Sequence, residues 1–230
     1  MIRVLVLVTC ICFALPTVAD SLDANEQRMV EWIDAHSEDA IALLEETVNI
    51  SSGTMNHAGV RRVGDVMRRD LEGLGFEVEW VELPPEMDRA GHIFGRKLTG
   101  SGKKFVMIGH LDTVFEADDE FQGFLRDGDA ATGPGVDDMK GGNAVIIYAL
   151  KALQAIGALD DSPVVVAYTG EEEKTGRPLD VSRRELIDAG KWADYGLGFE
   201  GAVRFDDSDW GTVARRSSSG WILTVEGRQA

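Results

Sequence analysis

The chain has little cysteine, few positive charges and few long apolar segments, and each shortage excludes a class of function. Its two cysteines, Cys10 and Cys12, lie close to the N-terminus. The rest of the chain therefore has no disulfide framework and no thiol nucleophile, although an oxidising compartment would permit disulfides. Lys and Arg total 23 against 40 Asp and Glu, so the formal charge is −17. This charge argues against nucleic acid or an anionic membrane as a partner.

The N-terminus has the pattern of a secretory signal peptide. Residues 4–15 are almost all apolar, follow Arg3, and lead through small residues to a polar start at Asp20. The run is short for a membrane span, and its order predicts cleavage near Ala19. We therefore expect residues 1–19 to be removed and the mature protein, with a charge of −18 instead of −17 after the loss of Arg3, to be secreted or periplasmic. An uncleaved N-terminal anchor is the alternative.

The remaining sequence alternates helical and strand patterns. Apolar spacing of 3.6 predicts helices at residues 22–49, 60–74, 141–156 and 183–193. Apolar or alternating runs predict strands at residues 76–81, 105–109, 163–168 and 194–199. Strands that are apolar along nearly their whole length are covered on both faces. With 44% hydrophobic residues over 230 positions, the chain is predicted to form an α/β three-layer sandwich around a mostly parallel sheet.

Acidic groups and one imidazole follow the apolar segments of this predicted sheet. They are His110 and Asp112 in G-H-L-D, Asp137 and Asp138 after G-P-G, Glu171, Glu172 and Glu173 in T-G-E-E-E, and Glu200 in G-F-E. In open α/β sheets, ligands bind outside the carboxyl ends of the strands. An imidazole with several carboxylates suits zinc, and so many anions in one place would repel each other without bound cations. The sequence therefore predicts a metal site.

The residue types also suggest roles within this site. One carboxylate can bridge two ions about 4 Å apart, so two metal ions are more plausible than one. Asp112 lies two positions after His110 and is placed to orient its ring. Within the glutamate triplet, one side chain can bind metal while a neighbour takes a proton from the attacking water, and the pattern leaves open which does which. The other histidines lack this context; His36 and His57 are interpreted as surface residues, and His92 as structural.

Four ordered motifs, G-H-L-D-T-V, G-P-G-V-D-D-M-K-G-G-N, T-G-E-E-E and G-F-E, resemble those of the M20 metallopeptidases, the glutamate carboxypeptidase and aminoacylase group. The resemblance covers roughly residues 27–230. It implies that His110 binds one zinc and that Asp112 orients it. It also implies that Asp138 bridges two zinc ions, with Asp137 only a neighbour, and that Glu200 binds the zinc held by His110.

The glutamate triplet leaves the register of the resemblance ambiguous. If T-G-E-E-E is a variant of the family pattern T-G-D-E-E, then Glu172 is the general base, Glu173 is a ligand of the second zinc, and Glu171 stands in for Asp. The resemblance then implies a zinc-dependent hydrolase that cleaves a terminal peptide or N-acyl amide bond of a small substrate with metal-activated water. Other divalent ions, such as Co²⁺ or Mn²⁺, are alternatives to Zn²⁺.

The domain organisation follows from the same resemblance. Residues 20–214 match the N-terminal part of the zinc-peptidase catalytic domain, and residues 215–230 match the first strand of an inserted α+β lid through which a full-length form would make a homodimer. The family's later histidine ligand of the second zinc lies beyond Ala230. A metal-binding domain without catalytic activity is therefore the alternative function. Small peptides and N-acyl amino acids are the expected substrates, and no membrane is expected as a partner after signal cleavage.

Overall fold

The computed structural model describes residues 22–201, 203–206, 208–213 and 223–227. The predicted signal peptide, residues 1–19, and most of the predicted lid strand, residues 215–230, lie outside them. The described helices are α1 (Ala24–Ala35), α2 (Ser37–Val48), α3 (His57–Gly73), α4 (Gly141–Ala155), α5 (Leu179–Ser182) and α6 (Arg184–Trp192). The described strands are β1 (Glu77–Val81), β2 (His92–Lys97), β3 (Phe105–His110), β4 (Leu125–Asp127), β5 (Ala130–Thr132), β6 (Val164–Thr169), β7 (Tyr195–Gly198), β8 (Val203–Phe205) and β9 (Ser208–Trp210).

Five strands form the central sheet in the order β1-β2-β6-β3-β7. Strand β2 is antiparallel to both of its neighbours, whereas β3 is parallel to β6 and to β7. Strands β1, β6, β3 and β7 therefore run in one direction and β2 in the other. The predicted α/β fold with a mostly parallel sheet is confirmed, although the sequence did not predict β2.

Helices cover both faces of this sheet, which gives three layers. On one face, α3 and α4 pack against the strands through a buried cluster that includes Val63, Met67, Ile146, Leu150 and Val166. On the other face, a smaller cluster of Phe94, Val106, Val165 and Ala167 is covered by α6 through Leu186, Ala189 and Trp192. Strand β6 is buried at every position, in keeping with its apolar sequence.

The predicted helix at residues 22–49 is wrong in one respect, since two helices occupy this segment. The break is at His36, whose φ of −121° and ψ of 15° are not helical. Its ring stacks on Trp32, and its Nδ1 donates to the Trp32 carbonyl oxygen at 2.7 Å. This side-chain bond competes with the helical backbone, so a new helix begins at Ser37. Among the described residues, no helix has both the length and the apolar character that a membrane crossing needs.

Candidate metal centre

The strand register brings three of the predicted site segments to one edge of the sheet. His110 ends β3 and is aligned with Thr169 at the end of β6, so the loop with the glutamates starts beside it. On the other side of β3, Ile108 is aligned with Gly198. Two residues further along each chain segment, His110 and Glu200 therefore come level with each other. Parallel pairing thus places the polar ends of β3, β6 and β7 together.

The fourth segment reaches this edge from the turn that precedes α4. Residues Val136–Lys140 form an irregular turn whose Asp138 and Met139 do not have helical backbone angles, and the peptide bond between them is cis. The Lys140 amide closes the turn by donating to the Gly135 carbonyl oxygen at 2.7 Å. The Asp138 carboxylate projects toward the sheet edge and lies 2.9 Å from Nε2 of His110.

The His110 ring is buried and its two nitrogens have different partners. Nδ1 donates its proton to the backbone carbonyl oxygen of Asp112 at 2.9 Å, since that oxygen can only accept. Nε2 faces Oδ1 of Asp138 at 2.9 Å and Oε2 of Glu200 at 3.9 Å. In a neutral ring, Nε2 would direct its lone pair at these carboxylates, which is repulsive unless a proton or a cation lies between them.

Two sets of potential metal ligands share this histidine. His110, Asp138 and Glu200 form one set, and His110, Glu172 and Glu173 form the other; within each set the ligand atoms lie within 4.8 Å of one another. One imidazole with two or more carboxylates is a donor set typical of zinc. The residues present therefore fit a divalent metal ion. Asp137, which the resemblance makes only a neighbour, is in neither set.

Burial and the neighbouring charges shift the pKa values of three groups in this cluster. Burial, with the charge of Asp138 beside it, raises the pKa of Glu173 to about 7. Burial also raises the pKa of Glu200, and the nearby Asp138 raises it further. Burial lowers the pKa of His110, but the Asp112 carboxylate and the charge of Glu200 outweigh it and raise that pKa to about 9. The cluster thus takes up protons when no cation is bound, as expected of a metal site.

Asp112 is fully buried and lies behind His110, away from the ligand atoms. Its Oδ1 is 3.5 Å from Nδ1 of the histidine and accepts the Glu172 amide proton at 3.0 Å. Its Oδ2 accepts the Glu173 amide proton at 3.2 Å and the Thr54 hydroxyl proton at 2.6 Å. The Asp112 side chain therefore holds the glutamate loop as well as lying against the imidazole.

The three consecutive glutamates lie in different surroundings. Glu171 is fully buried and accepts hydrogen bonds from the hydroxyl of Ser182 and from Nη1 of Arg183, the latter at 2.8 Å. The Gly176 amide also donates to its carboxylate, which belongs to neither ligand set. Glu172 is exposed and Glu173 is half-buried, and both reach His110. The register in which Glu171 stands in for Asp stays a prediction.

The remaining histidines lie away from the cluster. His92 is buried between the Ser182 carbonyl oxygen and the Gly170 amide, so its position is that of a structural residue. His57 is partly exposed at the start of α3 and lies 3.7 Å from Asp88. His36 lies between α1 and α2.

Sequence reasoning missed the residues that support the cluster from behind. Lys140 is buried and donates from Nζ to the Ile50 carbonyl oxygen at 3.0 Å. Asn143 is also buried and donates to the His110 carbonyl oxygen at 2.6 Å. Both follow Asp138 closely in M-K-G-G-N, so the motif itself contained a signal. Thr54 had no such signal, because it lies 58 positions before Asp112.

Comparisons with known proteins agree with this fold. Residues 106–208 match the family described as Peptidase family M20/M25/M40. The chain is 35% identical over 172 residues to carboxypeptidase G2 of Pseudomonas sp. (strain RS-16), covering 70% of the chain and 38% of the relative. It is 31% identical over 202 residues to succinyl-diaminopimelate desuccinylase of Rhodospirillum centenum (strain ATCC 51521 / SW), covering 83% and 50%. The chain thus spans half or less of the length of these relatives.

A solved structure supports the same fold. Human carnosine dipeptidase 1 superposes with a TM-score of 0.63 at 21% identity, covering 75% of this chain and 40% of that one. Fold and site together define an α/β protein with a candidate metal centre at the carboxyl edge of its sheet. The family match over residues 106–208 includes all four strand-end motifs and, with these relatives, supports an M20 metallopeptidase.

Proposed function

We propose that the protein is a zinc-dependent hydrolase that cleaves a terminal peptide bond or an N-acyl amide bond of a small substrate. The observation that carries this proposal is the pair of ligand sets that share His110 at the carboxyl edge of the sheet. The names of its relatives, a carboxypeptidase and a desuccinylase, support hydrolysis of this class of bond. Small peptides and N-acyl amino acids are the proposed substrates of the whole protein.

Zinc is the proposed metal, with Co²⁺ or Mn²⁺ as substitutes, and a complete active site would hold two ions. His110, Asp138 and Glu200 would hold one ion, and Asp138 and Glu173 would contribute to the second. When bound, zinc would polarise the scissile carbonyl group and make a water molecule more acidic. Asp112 would keep the imidazole and the glutamate loop in the geometry that binds the metal.

Glu172 is the proposed general base. It is exposed at the edge of the cluster while its backbone is fixed by Asp112, so its carboxylate is free to meet a substrate. It would accept a proton from the attacking water and return that proton to the leaving amine, so that the amide bond breaks without releasing an amide anion. Glu171, which is already paired with Arg183, has no part in this transfer.

A shallow surface cleft lies beside the glutamate loop. It has a volume of about 500 Å³ and is lined by Met55, Asn56, Glu116, Ala117, Asp118 and Lys174. Lys174 directly follows Glu173, but none of the candidate metal ligands lines this cleft, so it carries no argument about the substrate.

Metal binding without catalysis is the second candidate function. The carboxylates of Asp138 and Glu200 are 60% and 47% exposed, so within the part of the chain that is described the cluster is open to solvent on one side. Water-exposed carboxylates stabilise developing charge less well than those in a dry site. Binding of zinc with no turnover on any substrate would favour this alternative.

The organisation and location of the protein are also proposed. Residues 1–19 would be a cleaved signal peptide, residues 20–214 the catalytic domain, and residues 215–230 the first strand of a lid that supports a homodimer. The mature protein would then be secreted or periplasmic, with neither nucleic acid nor membrane as a partner. N-terminal sequencing of exported protein should find a start near Asp20, whereas an intact Met1 in the cytoplasm would contradict this location.

The test of function is hydrolysis of a panel of dipeptides and N-acyl amino acids. The protein is first stripped with EDTA and then assayed with Zn²⁺, Co²⁺ or Mn²⁺ added. We expect turnover of at least one substrate class that depends on added metal and is lost in Glu172→Gln. The exposed Glu120 gives a matched control, since Glu120→Gln should retain activity. Equal activity of the Glu172→Gln variant and the parent would refute the assigned base.

A further inference from the structure

Two other segments of the chain donate hydrogen bonds to the carboxylate of Asp112. The glutamate loop contributes two amide protons, from Glu172 at 3.0 Å and from Glu173 at 3.2 Å. The connection between α2 and α3 contributes the Thr54 hydroxyl, which donates to Oδ2 at 2.6 Å. A hydroxyl that donates to a carboxylate at this distance makes a charge-assisted hydrogen bond, which is stronger than a bond between neutral groups.

The backbone fixes the position of Thr54. Its amide donates to the Thr113 carbonyl oxygen at 3.2 Å, and the Thr113 amide donates to the Ser52 carbonyl oxygen at 2.9 Å. These bonds form a parallel bridge between Gly53 and Thr113, next to the segment that carries Asp112. The Thr54 side chain is 1% exposed. Its hydroxyl therefore remains beside Asp112 without competition from water.

Removal of this hydroxyl would leave Oδ2 of Asp112 with the Glu173 amide as its remaining hydrogen-bond donor among the described residues. A buried carboxylate that lacks donors pays a desolvation cost, which it reduces by rotating toward other donors. Such a rotation would move the acceptors that fix the amides of Glu172 and Glu173. Asp112 also lies against the His110 ring. Its movement would therefore shift ligand atoms in both sets.

We propose that Thr54 is a positioning residue of the metal centre, which acts through Asp112 to hold His110 and the Glu172–Glu173 loop in the geometry that binds metal. The inference rests on the metal-binding part of the proposed function and is independent of the substrate. Groups that orient metal ligands typically contribute about 10–100-fold to metal affinity, and this is the effect expected of the Thr54 hydroxyl.

The experiment measures Zn²⁺ affinity by competition with a chelator in the full chain. Thr54→Val removes the hydroxyl but keeps the shape of the side chain, and Thr54→Ser keeps the hydroxyl. We expect the Val variant to bind zinc about 10–100-fold more weakly and the Ser variant to bind within about threefold of the parent. Thr113→Val is the matched control, because Thr113 is equally buried on the same bridge and its hydroxyl contacts Phe115 instead of Asp112.

A double-mutant cycle separates positioning from general damage to the fold. If Thr54 acts through Asp112, the Thr54→Val change should weaken zinc binding much less in an Asp112→Asn background than in the parent. Urea unfolding of the metal-free variants shows how much of each effect is loss of folding. If Thr54→Val fails to fold, the same cycle is made with Thr54→Ala, and additive effects there would refute the proposal.

The outcomes distinguish this proposal from the proposed function. Parent-like zinc affinity in the Thr54→Val variant would overturn the role of Thr54 and leave the hydrolase proposal intact. An equal loss in the Thr54→Ser or Thr113→Val variant would also overturn it, because packing would then explain the effect. Zinc binding without turnover, combined with the expected loss in the Val variant, would support Thr54 and refute the hydrolase. A parent chain that binds no zinc would refute both.

Discussion

The α-carbon of Gly142 lies against the backbone carbonyl oxygen of Phe199, and a β-carbon built on Gly142 would overlap that oxygen. Gly142 is in the first turn of α4, just after the segment that carries Asp138, and Phe199 directly precedes Glu200. This close approach brings two candidate ligands of the same metal ion together from different parts of the chain. It gives a physical reason for the second glycine of M-K-G-G.

We predict that Gly142→Ala weakens both the fold and the metal site. The added methyl group must push Phe199 or the start of α4 away, and overpacking of this kind costs about 1–3 kcal/mol of unfolding free energy. The same movement separates Glu200 from Asp138, so zinc affinity should fall as well. Urea unfolding and zinc titration measure the two effects.

Gly190 in α6 is the matched control, since a β-carbon there would meet nothing within 4 Å. Gly190→Ala should stabilise the protein by about 0.5–1 kcal/mol, because alanine loses less backbone entropy than glycine in a helix. Its zinc affinity should equal that of the parent. Parent-like stability and zinc affinity in the Gly142→Ala variant would show that the contact with Phe199 is not required.

His92 should make the stability of the protein depend on pH. Its Nε2–H donates to the Ser182 carbonyl oxygen at 2.9 Å and its Nδ1 accepts the Gly170 amide proton at 3.2 Å, so the ring is held neutral. Burial lowers the pKa of His92 below its ordinary value of 6.5, and the charge of Arg183 lowers it further, against the opposing charge of Glu171. A protonated ring would direct a second N–H at the Gly170 amide.

The sign of the effect follows from proton binding. Above pH 6.5 the ring is neutral in both states; below it, the unfolded chain takes up the proton first. The unfolding free energy contributed by His92 therefore falls, by up to about 1.4 kcal/mol per pH unit, as the pH drops from about 6.5 through the folded-state pKa. Urea unfolding in EDTA should show a shallower pH dependence for His92→Gln than for the parent.

Sequence reasoning found the candidate site because each site segment has a local signal. His110, Asp112 and Glu200 follow apolar runs, and parallel pairing then brings the ends of these runs together without further information. For the same reason, the sequence could predict that these strands are parallel and that the site lies at their carboxyl ends. The locations of Glu172 and Glu173 followed from the apolar strand β6 in front of them.

Features that depend on distant contacts could not be predicted. Strand β2 has the sequence H-I-F-G-R-K, which neither alternates nor remains apolar, and it forms because β1 and β6 supply partners on both sides. The helix break at His36 rests instead on a local bond of its ring to Trp32, four residues earlier, which the apolar spacing does not reveal. The sequence around Thr54 carries no signal of its role, because its contact with the buried Asp112 carboxylate joins residues 58 positions apart.

The roles of two adjacent glutamates can be separated by experiment. Glu172→Gln should keep zinc binding and lower turnover by a factor on the order of 10² or more, the scale of losing a general base. Glu173→Gln should instead reduce zinc content, since its carboxylate is the proposed ligand. Metal analysis and steady-state kinetics on the same preparations decide between them, with Glu120→Gln as the control. The reverse pattern would mean that the register of T-G-E-E-E is wrong by one residue.

The number of zinc ions follows from the single imidazole in the cluster. His110 belongs to both ligand sets, and its Nδ1 already donates to the Asp112 carbonyl oxygen at 2.9 Å. Only Nε2 is left to bind metal, and one ring nitrogen binds one ion. The second ion would then depend on the carboxylates of Asp138 and Glu173, which are at least partly exposed and bind zinc weakly without an imidazole.

We therefore expect the 230-residue chain, dialysed against modest zinc, to retain about one zinc ion per molecule. Calorimetric titration should find one tight site and, at high zinc concentration, a weaker one. His110→Ala should abolish the tight site, whereas His57→Ala, at a histidine outside the cluster, should leave it unchanged. Two tight sites of equal affinity would mean that another residue of this chain supplies the second site with a strong ligand. The absence of any tight site would mean that the strand ends do not form a metal centre.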